Sequence, residues 1–146
     1  MKVTSTWKEK LVFTSAADSH SIEMDTKAPL GSDTAMTPKQ LVVAGLSGCT
    51  AMDVISLLKK YRQSVETFGL DAEVELTEGA HPIVFKKIHL TFRLSGQIEP
   101  EKLLEAVRLS QTKFCGVSAM LSKAVPMDYS VELNGTVIGT GAPDFK

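Results

Sequence analysis

The stretch from Thr37 to Tyr61 constrains this chain most, because it is helical in propensity and apolar on nearly every side. Its start is well marked. Thr37 suits an N-cap, Pro38 the first helical position, and Gln40 can reach back to complete a capping box. Leu41, Val42, Val43, Ala44 and Leu46 leave almost no polar face. Beyond Gly45 and Gly48, the residues Met52, Val54, Ile55, Leu57, Leu58 and Tyr61 again wrap widely around the axis. A helix that is apolar all round is a buried one. The expectation is a central core helix that surfaces only at Lys59, Lys60 and Arg62.

What surrounds such a helix must supply faces to cover it. Val3–Trp7, Leu11–Thr14 and His20–Asp25 are rich in β-branched and aromatic residues or alternate in polarity, and Ala16–Ser19 suits a hairpin. After the helix, Leu70–Glu78 and Ile83–Leu94 alternate over long spans, with Ile88, Leu90, Phe92 and Leu94 on one face. One-sided alternation marks an antiparallel sheet laid against helices. Pro100 opens a further helix with Leu103, Leu104, Val107 and Ser110 inward, and a short one follows from about Gly116 to Ala124. Tyr129–Leu133 reads as a strand ahead of an Asn134-Gly135 turn. The chain is expected to form a single α+β domain over residues 1–146. Its parts are strands in 1–36, a cysteine helix over 37–65, strands in 68–96, helices in 100–124 and a last strand over 127–138.

Charge narrows the partners. The net charge is −1 with Lys and Arg dispersed, which excludes a concentrated phosphate-tracking surface and hence nucleic acid. The reading gives no membrane span, and the N-terminus runs into Lys8, Glu9 and Lys10 without an apolar signal core. The cytosol is the expected location. His20, His81, His89 and the two cysteines show neither CxxC nor HxxxH spacing, so neither a structural zinc site nor any other metal or cofactor is expected.

In a reducing compartment two cysteines are either buried small side chains or working thiols. Cys49 lies among small residues in Gly45-Leu46-Ser47-Gly48-Cys49-Thr50-Ala51-Met52-Asp53. If Gly48 breaks the helix, free N–H groups and the helix dipole favour a Cys49 thiolate; if the helix runs through, that help disappears. Cys115 falls between two helices, with Lys113 nearby as a cation, and both influences lower a thiol pKa. Asp53, one turn past Cys49, is a candidate polar contact.

At these residues the sequence resembles the OsmC/Ohr family, and most closely its short YhfA-like branch, with the run Gly48-Cys49-Thr50-Ala51-Met52-Asp53. Thr37 to Cys49 is similar to the family's Pro-led cysteine helix, and Lys113-Phe114-Cys115-Gly116-Val117-Ser118 looks like its second cysteine segment. The element order matches over nearly the whole chain. The resemblance implies antiparallel sheets wrapped around central helices in an intertwined homodimer. It also implies a thiol-dependent peroxidase for organic hydroperoxides, in oxidative-stress defence. Cys49 would be the peroxidatic thiol and Cys115 the resolving one, with an external dithiol as reductant.

Two departures stand beside it. The family's peroxidases pair the first cysteine with an N-terminal Arg and with a Glu ten positions before it. Here that position is Lys39, beside Gln40, and no Arg precedes Arg62. The second segment reads Cys-Gly-Val-Ser where Cys-Pro is common. Lys39, Lys27, Lys10 or His20 could supply positive charge, although Lys lacks the bidentate fork of Arg. The alternative is a non-catalytic binding or sensing protein that holds a small apolar or electrophilic ligand at the dimer interface.

Overall fold

In the computed structural model, which describes all of residues 1–146, the chain divides into two compact units, Met1–Ala44 and Gly45–Lys146. In the first, the β-rich N-terminus forms an antiparallel meander of β1 (Thr4–Glu9), β2 (Val12–Ala17) and β3 (His20–Met24). Two-residue turns join the strands, with Lys10 and Asp18 in the left-handed region. Asp25 then organises the polar stretch that follows. Its carboxylate accepts from the amides of Thr26 (2.7 Å), Ser32 (3.0 Å) and Thr34 (3.1 Å) and from the Thr34 hydroxyl (3.0 Å). Burial opposes ionisation there, but these bonds outweigh it and hold the carboxyl below its usual range. Gly31 is required at this place: a Cβ would collide with the Thr26 carbonyl and the Asp25 carboxylate.

Helix α1 (Pro38–Lys60) begins at the capping box, with the Thr37 amide donating to Gln40 Oε1 (2.8 Å) and the Gln40 amide to Thr37 Oγ1 (3.3 Å). It runs unbroken through Gly45 and Gly48. It ends at Lys60 rather than near residue 65, because Arg62 turns left-handed and closes a Schellman pair, Arg62 N–H to Lys59 O and Gln63 N–H to Leu58 O (both 3.0 Å).

Burial of the helix differs from expectation. Only Leu46, Thr50, Val54 and Leu58 are buried, a single i, i+4 stripe, while Met52 is 72% exposed and Val42 45%. One chain supplies cover for one face of α1 and leaves apolar residues open on the others. By length and composition alone the helix would also suffice to cross a membrane, a property missed in the hydropathy of the sequence.

In the second unit, β4 (Ser64–Leu76), β5 (Phe85–Gln97), β6 (Met127–Leu133) and β7 (Thr136–Gly141) form one sheet in that order. The expected last strand is split at Asn134-Gly135 into β6 and β7. The β4–β5 and β6–β7 pairs are antiparallel, but β5 and β6 run parallel. A parallel pair needs a long crossover. Here it consists of α2 (Pro100–Leu109), a π turn over Ser110–Phe114 and α3 (Gly116–Leu121). Ile88, Leu90, Phe92 and Leu94 of β5 meet Tyr129, Val131 and Leu133 of β6 and Leu103, Ala106 and Val107 of α2 in the core. The Phe92 and Tyr129 rings pack edge to face at 6.0 Å.

Candidate functional site

Cys49 and Asp53 are four residues apart on α1 and so project from one face of it. Cys115 reaches the same place from the crossover. The Cys115 sulfur, the Cys49 sulfur and a carboxylate oxygen of Asp53 all lie within 4.8 Å of one another. Both cysteines are free thiols, Cys49 half-buried and Cys115 fully buried.

Cys115 sits where it does because the π turn ends on it. The Cys115 amide donates to Ser110 O (3.0 Å), five residues back, which closes the wide turn. The backbone then becomes extended at Cys115 and α3 starts at Gly116. The Cys115 side chain caps this short helix, its sulfur accepting the Ser118 amide at 3.3 Å.

Behind the thiols runs a buried polar chain. The Ser118 hydroxyl donates to Gln111 Oε1 (3.1 Å), and Gln111 Nε2 donates to Thr50 Oγ1. Ser110 spends its single proton on Asp53 Oδ2 (3.1 Å), so in the bond between Thr50 Oγ1 and Ser110 Oγ (2.8 Å) Thr50 donates. Thr50, Ser110, Gln111 and Ser118 are all fully buried, and every one has a partner. Buried polar groups must be paired, because each unpaired one costs about 1–3 kcal/mol. The chain therefore fixes the orientation of Asp53 beside the sulfurs.

The electrostatics oppose easy ionisation. Burial pushes the Cys115 thiol up from its ordinary value; Ser118 pulls it down, and the adjacent Cys49 thiol adds to the rise. Burial likewise raises the Asp53 carboxyl, against the lowering effect of the Ser110 hydroxyl. The lowering at the helix start, which acts through Ser118, is outweighed by burial. Lys113 lies with its ammonium 5.5 Å from the centre of the Phe114 ring. Cys49 stands within the unbroken helix, where the peptide units around it are bonded within α1.

Of the residues singled out in the sequence, Cys49, Cys115 and Asp53 come together. Lys39, Gln40, His20, Lys27 and Lys10 belong to the first unit: Gln40 is spent on the capping box, Lys27 faces Asp33 at 3.9 Å and Lys10 donates to Ser32 Oγ at 3.2 Å. His20 is exposed at the start of β3. Sequence reasoning missed Thr50, Gln111 and Ser118 and took Ser110 only as an inward helix position. The available signal was polar residues at inward-facing positions among apolar neighbours, Ser110 after Leu103 and Val107, and Ser118 beside Val117 and Leu121.

A family model described as OsmC-like protein matches residues 31–130. Protein YhfA of Escherichia coli K12 is 36% identical over 138 residues, covering 91% of this chain and 98% of that protein. The crystal structure of a hypothetical protein from Aquifex aeolicus VF5 superposes with a TM-score of 0.81 at 26% identity, over 91% of this chain and 95% of that one. An organic hydroperoxide resistance protein OsmC from Legionella pneumophila shares the fold, with a TM-score of 0.67 at 18% identity over 90% and 95% of the two chains. The matched span runs from the loop before α1 into β6 and contains both cysteines and their polar chain, and the chain belongs to the OsmC-like family.

Proposed function

We propose that this protein reduces organic hydroperoxides through a Cys49–Cys115 thiol pair, as a homodimer in the cytoplasm. The observation that carries the reading is the meeting of the two free sulfurs beside Asp53, within 4.8 Å. Cys49 is the more exposed of the two and meets the substrate. Its thiolate sulfur attacks the outer peroxide oxygen, the O–O bond breaks, and the alkoxide takes a proton and leaves as an alcohol. Cys49 becomes a sulfenic acid. The Cys115 sulfur then attacks Cys49 sulfur, a disulfide forms and water leaves. The peroxide has accepted two electrons, which an external dithiol returns by thiol–disulfide exchange. The name of the Legionella relative, an organic hydroperoxide resistance protein, supports the substrate class. The dimer reading rests on the open apolar residues of α1 and its surroundings, Met52 (72% exposed), Met120 (66%) and Phe114 (47%), which a second copy would cover.

Treating the reduced protein with cumene hydroperoxide and counting free thiols tests the reaction. Both thiols should be lost with equimolar peroxide, and Cys49→Ser should leave Cys115 unreacted. No thiol loss, or peroxide consumption by Cys49→Ser equal to that of the parent, overturns it.

A second reading has one observation in its favour. The charged group beside the sulfurs is a carboxyl, not a cation, and a carboxylate opposes thiolate formation. On that reading the pair binds or senses a small electrophile without turnover. Thiols that survive peroxide yet are alkylated slowly by an apolar electrophile would support it.

A further inference from the structure

The same three side chains have a property that redox chemistry does not use. Two sulfurs and a carboxylate converge from two elements, each within 4.8 Å of the others. We propose that Cys49, Asp53 and Cys115 together bind a zinc ion in the reduced protein, with the fourth position open to water or an external thiol.

A tetrahedral zinc site with thiolate arms of about 2.3 Å and a carboxylate arm of about 2.0–2.2 Å spaces its ligands by about 3.5–3.8 Å. The observed triangle, with no side above 4.8 Å, needs to contract by about 1.0–1.3 Å at most to meet that. Cys49 and Asp53 are one helical turn apart, so two of the three ligands are held in fixed relation by one rigid element. The set is soft and borderline, two sulfurs with one oxygen, which selects zinc over magnesium or calcium.

The surroundings are also those of a metal site. Ligands are oriented by outer hydrogen bonds, and here Ser110 Oγ donates to Asp53 Oδ2 at 3.1 Å while the Ser118 amide donates to Cys115 Sγ at 3.3 Å. Both donors point at ligand atoms that carry negative charge when a cation is bound. Half-buried Cys49 leaves a way in and an open position. No spacing motif announces this set, because one ligand is a carboxylate and the two cysteines are far apart in the chain.

The proposal requires reduced thiols only, and holds whether or not they turn over peroxide. Titrating the reduced, metal-free protein with cobalt(II) should produce sulfur-to-cobalt charge-transfer absorption and the intense visible bands of a tetrahedral site. One equivalent per chain should saturate it, and zinc should displace it. Cys49→Ser and Cys115→Ser should each lose the charge-transfer band or half its intensity. Asp53→Ala should weaken zinc binding by at least about tenfold against a chromophoric chelator. Zinc should also slow alkylation of both thiols in the parent protein but not in Asp53→Ala, a readout that needs no affinity measurement. Circular dichroism identifies variants that remain folded. Absence of charge-transfer bands, or bands unchanged in a folded Cys115→Ser protein, overturns the site. Peroxide consumption without cobalt bands overturns it while leaving the thiol reaction standing; cobalt bands without peroxide consumption do the reverse.

Discussion

Asp53 sets how much charge the cysteine site holds. Burial raises its carboxyl above the ordinary 3.8, with the Ser110 hydroxyl pulling the other way. In the window between the ordinary and the raised value the native chain keeps a proton that the unfolded chain has lost. Stability from this group is therefore fully present below the ordinary value and declines as pH rises through the folded one. Asp53→Asn keeps an oxygen to accept from Ser110 but cannot ionise, so it should remove that decline. Urea midpoints of the two proteins from about pH 4 to 7 check this. The curves should diverge, the variant becoming the more stable at the neutral end; parallel curves contradict the assignment. The neutral, proton-holding form is also the one compatible with a neighbouring thiolate, since two anions within 4.8 Å repel each other.

At the level of elements, β4 and β5 meet at an irregularity that depends on one glycine. Gly96 has φ +129°, and a Cβ there would run into the Ser64 carbonyl and approach Glu66 N to 2.9 Å, where the register shifts between Val65 and Thr67. Asn134 holds the same residue from the β6–β7 turn, accepting the Gly96 amide at 3.0 Å and donating to its carbonyl at 3.1 Å. Gly96→Ala should cost about 1–3 kcal/mol in urea denaturation. Gly69→Ala on β4, where a Cβ meets nothing within 4 Å, should change stability by less than about 1 kcal/mol. Equal losses would contradict the bulge as the cause. Features set by neighbouring residues could be read from the sequence: the Thr37–Gln40 box, the inward face of Ile88, Leu90, Phe92 and Leu94, and the Asn134-Gly135 turn. The parallel β5–β6 pairing could not, because register between strands more than thirty residues apart leaves no local pattern. Nor could the π turn, whose extra residue puts Ser110 and Gln111 inward together and breaks the 3.6 period. Cys49 and Cys115 were legible from their small-residue settings, whereas the polar chain that orients Asp53 needed the tertiary fold.

For the molecule as a whole, the open side of α1 is the outstanding term. Met52 stands 72% exposed on α1, and burying such a side chain is worth about 1.5–3 kcal/mol. If a second copy covers it, Met52→Glu should shift sedimentation from a dimer toward single chains. A parent protein that sediments as a single chain at all concentrations removes the dimer. The crossover brings a different consequence, one of timing. Cys115 lies on the connection between two parallel strands, so its meeting with Cys49 is a long-range contact made by the tertiary fold. Closing the loop between the cysteines, 66 positions apart, costs about 4 kcal/mol of chain entropy before any contact repays it. Pairings this distant in sequence form late and slowly. A nascent chain whose crossover has not yet packed against α1 thus carries two separated thiols, and tertiary folding makes them a pair.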